Sequence, residues 1–191
     1  MQVKKNITGI ILAGGKSTRM GSDKGFVCYK NIPFIEHIIA VLKPFVAEII
    51  IVSNNAAYDV FKQKRVNDLI ENSGPLAGLY SGLHHSKTEN NLVLSCDIPL
   101  INNAVLEVLV AQKNTDIDVV MVESEGKTMP LIALYKKHCM YTFKKLLEQD
   151  ERRMRFAVNQ LKSKTIILEN NLEKYTANIN TKEGINFLNT I

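Results

Sequence analysis

Three glycines and three cations crowd into the stretch Ile10 to Lys24, IILAGGKSTRMGSDK. Glycine lets backbone N–H groups approach an oxyanion closely and point the same way as a nest, and cations neutralise the charge the nest leaves over. Phosphate binding fits that composition. A strand-to-loop turn that merely happens to be basic fits it too, and a bare Gly-Gly does not separate the two. Gly15-Lys16-Ser17 ends like a P-loop, but the position where a P-loop needs its first glycine is Ile10, and residues 19–25 continue as loop rather than helix. A GxGxxG dinucleotide fingerprint is also missing from this stretch. The second candidate is Asp97, in Cys96-Asp97-Ile98-Pro99. A carboxylate at the tip of a buried strand can hold Mg²⁺ against nucleotide phosphates, because Mg²⁺ takes oxygen ligands and usually only one or two from protein. Asp before Ile-Pro also fits a helix N-cap.

The elements around these residues set where they stand. Ile7 to Leu12 and Glu48 to Val52 are continuous apolar runs, the pattern of fully buried strands. Between them Ile35, Ile38, Ile39, Leu42 and Phe45 recur at helical spacing, which predicts a helix over Pro33 to Val46 after an Asn31-Ile32-Pro33 turn. Strand, helix, strand at this spacing is a βαβ unit with a parallel pair. Gly25 to Lys30 reads as a short β-like piece, Ala56 to Lys64 as a short helix, and Val66 to Ile70 as a weak strand containing Asp68. A helix opens at Gly74-Pro75-Leu76 and runs through His85, and Asn91 to Ser95 is a strand with Asp97 at its carboxyl end. Ligands bind at that edge of open α/β sheets, and Gly14 ends the first strand the same way. The second half predicts helices at 104–113, 138–149, 152–161 and 182–188, and strands at 117–122, 131–135 and 165–168.

At 191 residues the chain is long enough for one large domain with its own core. A hydrophobic share of 46% and a charged share of 23% are those of a soluble globular protein. No signal sequence or membrane span is expected, and the predicted setting is the cytoplasm. Cys28, Cys96 and Cys139 form no CxxC pair, which argues against a disulfide framework and a zinc site. A net charge of +5 calls for an acidic partner. Its basic residues are spread along the whole chain without aromatic interleaving, so a small polyanion accounts for the charge better than nucleic acid does.

The stretch LAGGKSTRMGSDK resembles the N-terminal motif of the MobA-type nucleotidyltransferases, which handle the molybdenum cofactor. GPLAG at Gly74 to Gly78, CDIP at Cys96 to Pro99, Arg152-Arg153 and Asn178-Ile179-Asn180-Thr181 are similar to further motifs of that family, in the same order. The resemblance implies a three-layer α/β/α sandwich with a mostly parallel, Rossmann-like sheet, of the nucleotide-diphospho-sugar transferase type. It implies one domain over residues 1–191, nucleotide-binding in its N-terminal half and acceptor-binding in its C-terminal half. The implied activity is transfer of GMP from Mg²⁺-bound GTP to the phosphate of molybdopterin, with release of pyrophosphate. Leu12, Ala13, Gly14 and Gly15 would wrap the base and α-phosphate. Lys24, assisted by Arg19, would meet the β- and γ-phosphates, and Asp97 would hold the metal. Asp68 and the Gly74-Pro75-Leu76 turn would meet the nucleoside, with Asn54 or Asn55 in a register the sequence leaves open. Arg152, Arg153, Asn178 and Asn180 would serve the pterin acceptor. Two positions depart from the family pattern: Asp150 replaces the glycine before the arginine pair, and Lys182 replaces the proline of the last motif. CTP-using members carry LAAG where this chain has LAGG. A CTP-dependent or sugar- or polyol-phosphate enzyme of the same fold, and a silent nucleotide-binding regulator, are the competing readings. The sequence leaves open which protein delivers the pterin; neither nucleic acid nor membrane is an expected partner.

Overall fold

The structure, a computed structural model, describes residues 6–14, 23–180 and 184. Its elements begin with β1 (Ile7–Leu12), β2 (Cys28–Tyr29), β3 (Ile32–Pro33), α1 (Phe34–Leu42), β4 (Glu48–Val52), β5 (Lys64–Val66) and α2 (Gly74–His85). Then come β6 (Asn90–Ser95), α3 (Asn103–Val110), β7 (Val119–Ser124), β8 (Lys127–Lys136), α4 (Cys139–Glu148), α5 (Met154–Val158), β9 (Ser163–Ile167) and α6 (Asn170–Glu173). Seven strands form one sheet in the order β5-β4-β1-β6-β8-β7-β9, and β8 alone runs antiparallel to its two neighbours. The closing helix expected at 182–188 lies, apart from residue 184, outside the described residues.

Both faces of this sheet are covered, which is why its strands read as unbroken apolar runs. Successive residues alternate between two cores. Ile11, Ile49, Ile51, Leu92 and Leu94 pack with Ile35, Ile38 and Leu42 of α1 and Leu106 and Leu109 of α3. Ile10, Ile50, Val52 and Val93 pack on the other side with Leu76 and Leu83 of α2, Phe143 of α4 and Val158 of α5. The result is the expected three-layer sandwich.

Helix α2 approaches β1 closely at Gly82, where a Cβ would sit 2.5 Å from Ile10 Cγ2 and 3.2 Å from Val52 Cγ2. Both neighbours are stiff β-branched residues in the core. Gly82→Ala is therefore expected to cost about 1–3 kcal/mol. The check is a lower urea midpoint at unchanged slope; a wild-type midpoint would mean that the helix has room to move.

Several element limits differ from expectation for physical reasons. The helix expected through Val46 stops at Leu42, because Pro44 has no N–H to continue the ladder. Residues 24–26 form a single 3₁₀ turn rather than extended chain, capped by Asp23, and only Cys28–Tyr29 pairs with β3. The strand expected to begin after Pro130 starts earlier, at Lys127. It absorbs the proline in an irregularity where the β7 pairing jumps from Ala133 to Met129. Asp68 was expected inside a strand, but β5 ends at Val66 and Asp68 follows in the loop, its N–H donating to Asn54 Oδ1 at 2.9 Å.

Candidate active site

Four parallel strands end together. Leu12 lies opposite Val52 and Ser95, and Val52 opposite Val66, so β1, β4, β5 and β6 present their carboxyl ends along one edge. A cavity of about 680 Å³ opens there, a size that suits a nucleotide. Leu12, Ala13 and Gly14 line it from β1, Val52 and Ser53 from β4, and Ser95 from β6. Ser73, Gly74 and Pro75 bring the N-terminus of α2 to its wall, with free N–H groups and the positive end of the helix dipole. Gly74 has φ +68°, a conformation that would strain an L side chain. Leu76, expected to join this turn, is instead fully buried in the core behind it.

Beside the cavity the structure gathers three residues that are far apart in sequence. The Lys24 ammonium donates to Asp97 Oδ2 at 3.2 Å and to Asn180 Oδ1. Asp97 is only 8% exposed, and its Oδ1 accepts from Ser95 Oγ at 2.6 Å, which fixes the carboxylate's rotation. The Asp97 main-chain carbonyl accepts from Ile179 N–H at 2.8 Å, tying the chain's last described stretch to the site. Ile179 is buried against Tyr29 and Phe34, and this leaves Asn180 facing Lys24. Asp97 does not cap α3; Asn102 does, its Oδ1 accepting from Val105 N–H at 3.2 Å. The carboxylate thus serves a cation rather than a helix. It already holds one positive charge, so its environment suits a hard cation such as Mg²⁺, which needs few protein ligands. Next to it, burial pushes the Cys96 thiol well above its ordinary range, which leaves it protonated and a poor nucleophile.

At another wall stands Asp68. Positions where Gly78 and Gly14 would carry a Cβ lie 3.5 Å from its Oδ1 and 3.9 Å from its Oδ2. Oδ1 is buried and has no hydrogen-bond partner among the described residues. Burial raises its pKa, and Glu71 adds to the rise. Between the unfolded and the raised folded value the folded chain holds more protons, so stability is greatest below both and falls as pH rises through that window. Asp68→Asn is accordingly expected to raise the melting temperature of the nucleotide-free protein at about pH 8 and to leave it nearly unchanged at about pH 4. A variant less stable than wild type at the higher pH would mean that the charged carboxylate is already well served.

Two residues of this region escaped the sequence reading. Asp23 lines the cavity, and its carboxylate accepts from the Tyr58 hydroxyl and from Asn55 Nδ2 at 3.1 Å. The signal for Asp23 was its place next to Lys24; nothing local marked Tyr58. Asn54 and Asn55 both line the cavity; Asn54 holds the Asp68 main chain and Asn55 holds Asp23.

The arginine pair does not converge. Arg152 pairs with Asp150 at 2.7 Å and reaches the Asn72 carbonyl at 3.4 Å, on the cavity wall. Arg153 turns away to grip Glu151, with Nε 2.9 and 3.1 Å from its two oxygens, and this holds the Glu151 carboxyl down at about 2. Asp150, standing where the family carries glycine, has φ +58°, the left-handed conformation Asp tolerates better than most residues. Asn178 is exposed beside Ile179. Gly15 and Arg19 lie outside the described residues.

A strand end at Gly14, an ammonium and a carboxylate at the carboxyl edge of parallel strands, beside a nucleotide-sized cavity, are what a nucleotidyltransferase requires. The chain belongs to the MobA-like NTP transferase family, whose domain model matches residues 9–165. It is 37% identical to a probable molybdenum cofactor guanylyltransferase of Flavobacterium johnsoniae over 97% of both chains. A protein of the same name from Bacillus mycoides is 32% identical over 92% of each. The fold superposes with a TM-score of 0.81 on molybdopterin-guanine dinucleotide biosynthesis protein A from Archaeoglobus fulgidus, at 20% identity, covering 95% of this chain and 96% of that one.

Proposed function

We propose that this chain transfers GMP from GTP to the phosphate of molybdopterin, releasing pyrophosphate and forming the guanine dinucleotide of the cofactor. The observation that carries the guanine reading is the buried oxygen of Asp68 in the cavity wall, without a hydrogen-bond partner among the described residues. A carboxylate accepts two parallel hydrogen bonds, and guanine alone among the four bases offers two adjacent donors, N1–H and the 2-amino group.

The chemistry needs no general base. An oxygen of the acceptor phosphate, already anionic, attacks the α-phosphorus in line; the bond to the bridging oxygen breaks, and its electron pair leaves with pyrophosphate. Lys24 neutralises charge on the β- and γ-phosphates, Arg19 assists it, and the backbone amides of Leu12, Ala13, Gly14 and Gly15 position the α-phosphate. Asp97 would hold Mg²⁺, which supplies further neutralisation of the triphosphate. Asn180 orients the Lys24 ammonium, and Arg152, which reaches the Asn72 carbonyl at the cavity rim, meets the acceptor phosphate, whereas Arg153 is held by Glu151. One domain carries both halves of the task, nucleotide in the N-terminal half and acceptor in the C-terminal half. The reaction belongs in the cytoplasm, where the pterin is handed over by a delivering protein. Among the described residues no helix is long and apolar enough to cross a membrane.

The test is a thermal-shift titration with GTP, CTP, ATP and UTP, with and without Mg²⁺, followed by pyrophosphate release in the presence of molybdopterin. Selective stabilisation by GTP and pterin-dependent release are the expected results. Preference for CTP would move the chain to the cytidylyl branch of the fold, and silence toward every nucleotide would remove the enzymatic reading.

A further inference from the structure

Lys24 sits on a three-residue 3₁₀ turn, Lys24–Phe26, far too short to hold its own shape. What holds it comes from another part of the chain. Tyr58, on the 3₁₀ helix Ala56–Phe61 that follows β4, is fully buried. Its hydroxyl donates to Asp23 Oδ1, the same oxygen that caps the turn by accepting from Gly25 N–H at 3.3 Å. Asn55 Nδ2 fixes the other carboxylate oxygen at 3.1 Å, and Asn55 is itself held as the cap of the Ala56–Phe61 helix. A Cβ on Gly25 would lie 2.7 Å from Tyr58 Cε1, so the turn rests directly on the ring. Phe26 completes the seat, its ring 4.7 Å from Tyr58 and 5.4 Å from Phe61. Residues on both sides of Lys24 are thereby clamped to one buried phenol. Burial, with nearby Cys96 and Asp23, pushes the Tyr58 hydroxyl above its ordinary range, so it stays a proton donor.

We infer that Tyr58 is a positioning residue for Lys24: through Asp23 it locks the turn that aims the ammonium at the triphosphate, an assignment resting on the nucleotidyltransferase reading above. A long flexible lysine gains little from a loose turn, because ordering its side chain is charged against every phosphate contact it makes. With the hydroxyl in place the backbone turn that carries the lysine is ordered before nucleotide arrives.

The experiment compares the binding of GTP and of guanosine, which has no phosphate for Lys24 to touch, by calorimetry on wild type, Tyr58→Phe, Lys24→Ala and the double variant. Tyr58→Phe keeps the ring and its packing. It is expected to weaken GTP by about tenfold while guanosine stays within about twofold, and to add less than about twofold to the loss when Lys24 is already alanine. Asp23→Ala should repeat the selective GTP loss, and Asp23→Asn, which keeps the acceptor for Tyr58 and the cap but loses the bond from Asn55 Nδ2, should recover part of it; these two decide the matter if the phenylalanine variant folds poorly. Unchanged GTP affinity in Tyr58→Phe, equal loss of GTP and guanosine, or a full effect persisting without Lys24 would each overturn the assignment. Wild-type protein that binds GTP no better than guanosine would instead bring down the underlying reading, and the assignment with it.

Discussion

Asp97→Ala is expected to abolish GMP transfer, a fall of at least about a thousandfold in kcat/KM. The carboxylate is 8% exposed, is oriented by Ser95 and faces the Lys24 ammonium, so its charge acts in a low-dielectric setting where water cannot replace it. The fold should survive the change. Asp97 contributes its main-chain carbonyl to Ile179, and alanine keeps that bond. Asp97→Asn separates charge from hydrogen bonding: the amide oxygen still accepts from Ser95, yet the cation site is gone, so transfer should stay close to the alanine level. Pyrophosphate release with GTP, Mg²⁺ and molybdopterin measures both. Near-normal transfer by either variant would remove Asp97 from the reaction.

If Lys24 meets the triphosphate as proposed, Lys24→Ala is expected to lower kcat/KM for GTP by about a hundredfold to a thousandfold, through loss of the charge that would neutralise the departing pyrophosphate. The geometry adds an opposite effect. In the free protein the ammonium lies 3.2 Å from Asp97 Oδ2 and also engages Asn180, so lysine competes for the carboxylate. On the proposed reading, an incoming triphosphate would draw lysine toward the phosphates and free Asp97 for a metal. The alanine variant lacks that competitor, and Mn²⁺ should bind it several-fold more tightly than wild type when no nucleotide is present, read from the free-ion electron paramagnetic resonance signal. Tighter metal together with slower transfer identifies the exchange. Equal Mn²⁺ affinity in the two proteins would mean that Lys24 and metal use different oxygens of the site.

Sequence alone determined the layered α/β architecture and the family. Runs such as Ile7–Leu12 and Glu48–Val52 are legible because a parallel strand covered on both faces must be apolar at every position, whatever its partner. The CDIP stretch is legible for a related reason: a carboxylate at a strand tip is a local demand, written into adjacent residues. Only the tertiary structure decided how these pieces meet. Asp97 and Asn180 lie 73 and 156 positions from Lys24, and their contact with it depends on the register of β6 beside β1 and on Ile179 docking against Tyr29 and Phe34. Asp68 was misplaced within a strand because its apolar neighbours Leu69 and Ile70 mimic one. The strand in fact ends where β4 turns away and the Asn54 side chain captures the Asp68 N–H. Tyr58 carried no signal at all, since an aromatic in a short helical stretch reads as core. Its bond to Asp23 spans 35 positions and exists only once β1 and β4 lie side by side. Elements follow from local periodicity and burial; a site assembled from the ends of several strands follows from the packing that brings those ends to one edge.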